Sequence, residues 1–71
     1  MPALTEGDKL KLQKQLDKEL ALIKQYYDNK HDTDGYARYL LIEEQNVGTN
    51  LNDIKHAREL VLTNLHIPIP Q

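Results

Sequence analysis

The chain contains no cysteine, serine, tryptophan or phenylalanine. Without cysteine there is no disulfide, no thiolate metal site and no thiol nucleophile. Without serine, serine nucleophiles and serine-linked prosthetic groups are excluded as well. No run of residues is long and apolar enough to span a membrane. The opening MPALTEGDK lacks a basic stretch followed by an apolar core, so no signal peptide is expected. These features fit a cytoplasmic protein. Positive charge is also scarce. The formal net charge is −2, with 9 Lys and Arg against 11 Asp and Glu. Nucleic-acid binding calls for clustered positive charge, which neither half of the chain shows.

Length sets a second constraint. A chain of 71 residues forms one domain at most. At this size it buries only about 60% of the surface its unfolded form exposes. Ordering it costs on the order of 100 kcal/mol. With disulfides excluded, tight helix packing or oligomerisation must supply the stability.

Helical periodicity is what the sequence does have. Residues 8–29 contain no Gly or Pro, and Leu12, Leu16, Leu20, Ile23 and Tyr27 fall on one helical face. Leu22 and Tyr26 widen that face. Thr5 and Asp8 are a capping pair at its start. A second helix is expected from about Asp34 to Val47, with Tyr36, Tyr39, Leu40 and Val47 on one face and Gly48 as its stop. A third begins near Thr49 or Asn50, either of which caps well. Its stripe is Leu51, Ile54, Ala57, Val61, Leu62 and Leu65. Pro68 and Pro70 prevent its extension, leaving residues 66–71 as an extended tail. Ile67 and Ile69 on that tail are expected to fold back over one end of the core, or to dock on a partner. The expected fold is all-α: a small antiparallel three-helix bundle with a long first helix, spanning about 6–29, 34–47 and 50–65.

Four stretches invite a chemical reading. Asp32-Thr33-Asp34-Gly35 has the spacing of a calcium loop. Aligning Gly35 with the loop glycine, however, puts Lys30 and Leu41 at two ligand positions. The segment reads better as a turn and helix N-cap. His31 with Asp28 and Asp32 has too few ligands at too loose a spacing for a metal centre. Residues 43–60 resemble a helix-turn-helix in length, but either alignment puts a polar residue, Asn52 or Glu44, where a buried one belongs. Lys11, Lys14 and Lys18 share the outer face of the first helix. That is the composition of a solvated face, and more remotely of a patch for an acidic partner. No catalytic residue, cofactor or metal is expected.

Two charges interrupt apolar faces in a matched way. Glu43 falls inside the Tyr36–Leu40–Val47 face, and Arg58 inside the Leu51–Ile54–Leu62–Leu65 face. A lone charge on a core face is costly and a pair is tolerable. In a hairpin turning at Gly48 the two lie about 6 Å out of step, and side-chain lean closes that gap. A structural ion pair between Glu43 and Arg58 is therefore expected, with Glu19 or Glu44 as substitute acids.

The apolar residues left over point to function. Leu41 and Ile42 lie away from the core face of helix 2, and Leu60 away from the stripe of helix 3. A helix apolar nearly all round is buried on more than one side. The four tyrosines gather around the first turn, and tyrosine is a frequent interface anchor. The expectation is a non-enzymatic protein-binding module, with Leu41, Ile42, Leu60, Tyr39, Ile67 and Ile69 as its contact residues. Its partner would be another protein or a second copy of the chain, as a homodimer. Inhibitors, immunity proteins, antitoxins and adaptor subunits share this size and class. A small nucleic-acid-binding regulator is the alternative.

Overall fold

The computed structural model of the chain describes residues 5–71. Three helices follow one another: α1 Glu6–Asn29, α2 Thr33–Val47 and α3 Leu51–Asn64. They form a small all-α bundle in which α1 packs against both others, and most extensively against α3.

Each helix starts where a side chain satisfies its free N–H groups. Thr5 Oγ1 accepts from the Asp8 N–H at 3.1 Å. Asp32 Oδ1 accepts from the Gly35 N–H at 2.9 Å. Asn50 Oδ1 accepts from the Asn52 and Asp53 N–H groups at 2.9 and 3.2 Å. Such caps are worth about 1 kcal/mol each. The Asp-Thr-Asp-Gly segment is therefore a helix start, with α2 beginning at Thr33. Gly35 lies inside the first turn of α2, where a Cβ would overlap the capping carboxylate of Asp32 and touch the Tyr27 ring. The glycine makes room for the cap.

The ends of α1 and α3 share one design. Past α1, the His31 N–H donates to the Asp28 carbonyl and the Asp32 N–H to the Tyr27 carbonyl. Past α3, the His66 N–H donates to Thr63 and the Ile67 N–H to Leu62. This is the Schellman pattern, which needs a left-handed residue just beyond the cap. Glycine usually fills that place. Here histidine does, with φ of 55° at His31 and 60° at His66. Gly48, at φ 79° and ψ −146°, ends α2 in a region that only glycine enters without strain.

The core is thin. Among the described residues, Leu16, Ile23 and Leu62 are the buried apolar side chains, and Glu19 and Arg58 are buried beside them. Leu12, Leu20, Tyr27, Ile54, Val61 and Leu65 are half-buried around this centre. No apolar residue of α2 is buried. Leu40, expected on the core face of α2, is 37% exposed. The half-buried residues of α2 include Tyr36, Tyr39, Glu43 and Val47. Long side chains with polar tips occupy that stripe, and Leu40 is left at its rim.

The tail departs from expectation. It does not close an end of the bundle but runs back along α1. Gln15 Nε2 donates to the Pro70 carbonyl, and Lys18 Nζ to the Gln71 carbonyl at 3.3 Å. Ile67 lines an open groove with Leu22, Gln25, Tyr26 and Asn29. The left-handed turn at His66 reverses the chain, and the prolines keep it extended.

Candidate functional site

The most ordered polar cluster joins all three helices. Arg58 on α3 donates from Nη2 to Glu43 Oε1 at 2.7 Å and from Nε to Glu43 Oε2 at 3.1 Å. Its third donor, Nη1, reaches the Leu16 carbonyl of α1 at 2.8 Å. Tyr39 adds its hydroxyl to Glu43 Oε2 at 2.6 Å. The side chains of Arg58 and Glu43 are 11% and 10% exposed. Burial by itself would raise the Glu43 carboxyl. The hydrogen bonds from Arg58 and Tyr39 and the guanidinium charge outweigh burial and hold it below its usual range. Burial and the hydrogen bond to the Glu43 carboxylate push the Tyr39 phenol well up. Each of the three guanidinium nitrogens and the Tyr39 hydroxyl thus donates to an acceptor within the cluster.

A second polar cluster lies between α1 and α3. Glu19 is 0% exposed. Its Oε2 faces Gln15 Nε2 at 3.4 Å, and its Oε1 has no partner. Burial, followed by the hydrogen bond and charge of nearby Glu59, pushes the Glu19 carboxyl up to about 7. Glu59 shifts the other way. Its contacts with Glu19 and Lys55, the latter at 2.7 Å, favour its charged form. The two acids thus divide their roles, one neutral and one ionised. Glu19 does not serve as a substitute partner for Arg58, and Glu44 is exposed. The burial of Glu19 was legible in part: it is three residues after Leu16 and four before Ile23, within the apolar face.

Tyr26, Tyr27 and Tyr36 do gather at the first turn. Tyr26 and Tyr27 meet edge to face at 5.3 Å, and Tyr27 lies 6.3 Å from Tyr36. Lys30 Nζ sits 4.5 Å from the Tyr26 ring centre, a cation–π contact. Tyr39 stands apart, engaged with Glu43.

The exposed apolar side chains form the remaining candidate surface. Leu41, Ile42 and Leu60 are 52%, 55% and 52% exposed. In an antiparallel hairpin, the register that pairs Glu43 with Arg58 also sets Leu41 level with Leu60. Each lies about 160° around its own helix from the paired charge, and Leu40 is the neighbour of Leu41 on α2. Ile42 is about 100° further round α2. It lines an open groove with Tyr27, Asp32, Gly35, Arg38 and Tyr39. Ile69 on the tail is 40% exposed, whereas Ile67 is half-buried on α1.

Among the described residues, no three His, Asp or Glu side chains converge as metal ligands. Among the same residues, no helix is long and apolar enough to cross a membrane. Comparison with protein-family models, with curated proteins and with solved structures finds no match to this chain.

Proposed function

We propose that the chain is a protein-binding module that acts by association rather than catalysis, and that a second copy of itself covers the α2–α3 outer face. The observation carrying this reading is α2 itself, a fifteen-residue helix with no buried apolar side chain and with Leu40, Leu41 and Ile42 exposed. Helices this short are marginal alone and depend on packing of an apolar face. Surface area points the same way. The accessible surface is 5440 Å², whereas a folded monomer of this mass exposes about 4,500 Å². Part of the excess belongs to the first turns of α1, which project beyond the bundle and leave Leu10 59% exposed. In this reading the exposed Leu40 and Leu41 of α2 and Leu60 at the same level of α3 are the residues the second copy covers.

Sedimentation equilibrium across roughly 1 μM to 1 mM, the range in which modest interfaces form, tests this reading. The expected result is a mass rising toward twice 8.2 kDa. Leu41→Glu and Leu60→Glu should each abolish the rise while leaving the helical signal intact, because both side chains already face solvent in the single chain. A mass that stays at one chain throughout removes self-association. Salt-sensitive binding to duplex DNA would favour the nucleic-acid alternative instead.

A further inference from the structure

The stripe of α2 that faces away from Glu43 and Tyr39 carries charge as well as leucine. Leu41 stands at its middle, with Asp34, Ala37, Arg38, Glu44 and Gln45 along it, all exposed. Asp34, Ala37, Arg38 and Leu41 line one open groove there. Among the described residues the ion pairs are Lys55 with Glu59 and Arg58 with Glu43. Arg38 and Glu44 belong to neither, so the outer face of α2 holds one uncommitted charge of each sign.

These residues are placed evenly about Leu41. Arg38 precedes it by three positions and Glu44 follows it by three. Each therefore lies about 4.5 Å along the helix from Leu41 and about 60° round from it, on opposite flanks. Ala37 and Gln45 stand four positions to either side, about 6 Å along and about 40° round. A contact between two copies of one surface has a two-fold axis, so each residue meets the one equally far beyond the axis. In an antiparallel pair of α2 helices centred on Leu41, each Arg38 comes level with the partner's Glu44 across the seam. The small side chain of Ala37 lies on the flank where that glutamate arrives and leaves room for it. A parallel pair in register instead sets Arg38 against Arg38 and Glu44 against Glu44, and such like-charge contacts are unfavourable.

We infer that two copies of the chain meet through an antiparallel, two-fold contact of α2 on α2, with Leu41 on the axis and Arg38 paired with the partner's Glu44 on both sides. The inference rests on the self-association proposed above and adds its orientation, its register and the charges that select a second copy as the occupant. Leu41 supplies the apolar centre. The two ion pairs bracket it and set the direction of the helices, as flanking charges do in coiled coils. Leu40 and Ile42, about 100° to either side of Leu41, border the contact.

The test is charge exchange in the full chain, read by sedimentation equilibrium. Arg38→Glu and Glu44→Arg each turn both ion pairs into like-charge contacts, and each should raise the dimer Kd about tenfold or more. The double variant restores both pairs with their signs exchanged and should associate like the parent. An equimolar mixture of the two single variants should do the same, as a heterodimer. Both positions face solvent in the single chain, so the helical signal should not change. The chain has no cysteine, which allows a second reading that leaves every charge in place. Ala37→Cys mixed with Gln45→Cys should cross-link on oxidation, and neither variant should cross-link alone, because like positions lie about 12 Å apart along the seam. This decides the matter if a reversed charge upsets folding. A parent chain that stays single up to about 1 mM, the weak limit of specific association, removes the proposed self-association and this contact with it. A parent that doubles in mass while the single reversals associate equally well, while the double variant fails to recover, or while Ala37→Cys cross-links to itself, overturns the antiparallel contact and leaves self-association standing.

Discussion

Replacing Arg58 with Met probes the polar cluster that joins the three helices. Methionine keeps the length and apolar volume of the arginine stem. It removes one charge and three donated hydrogen bonds, two to Glu43 and one to the Leu16 carbonyl. Glu43 then stays nine-tenths buried with only the Tyr39 hydroxyl, at 2.6 Å, to answer its charge. Removing one partner of a buried pair costs about 3–5 kcal/mol. The surviving tyrosine bond puts the expected loss at the lower end, about 3 kcal/mol. For a domain this small that lowers Tm by roughly 12–24 °C, at about 4–8 °C per kcal/mol. Urea denaturation followed by far-UV circular dichroism measures the loss directly. The informative companion is Glu43→Leu with Arg58→Met. Removing both charges ends the desolvation penalty, so the double variant should return to within about 1 kcal/mol of the parent. A single variant losing less than about 1 kcal/mol, or a double variant no better than the single, would refute the claim that the pair is buried and mutually dependent.

The remaining predictions concern pH and backbone. Folded Glu19 holds its proton to about pH 7, against 4.5 for the free group. The stability it contributes is full below about pH 4.5 and is lost as pH rises from there through about 7, by about 3 kcal/mol in all at 1.36 kcal/mol per unit. Glu43 is shifted downward, so its contribution is present above the unfolded value and falls away in acid. Urea midpoints should therefore peak in mildly acidic buffer, and Glu19→Gln should flatten the alkaline limb only. Gly48→Ala should cost about 1–3 kcal/mol through backbone strain alone, since nothing lies within 4 Å of its missing Cβ. His31→Gly and His66→Gly should each raise stability by about 0.5–1 kcal/mol, because glycine adopts the left-handed turn without the Cβ clash. Thermal melts would check both.

Some of this was local enough to read directly from the sequence. The spacing of Leu12, Leu16, Ile23, Ile54 and Leu62 marks the inward faces because a helix repeats every 3.6 residues whatever it packs against. The caps at Thr5, Asp32 and Asn50 and the stop at Gly48 follow from chemistry within a few residues. The meeting of Glu43 with Arg58 needed only the hairpin register in addition, since two charges interrupting facing stripes have one low-energy arrangement. Other features depended on three-dimensional packing. Glu19 lies on an apolar face like any exception, but its neutral state depends on burial between the assembled helices and on Glu59 arriving from α3, against the opposing charge of Lys55. The tail's path along α1 depends on a left-handed turn at His66, a residue with no strong local signal for that conformation. The exposure of Leu40 was decided by how far α2 stands from its neighbours. Periodicity reports which side of a helix is apolar. Only the assembled helices determine which part of that side is covered.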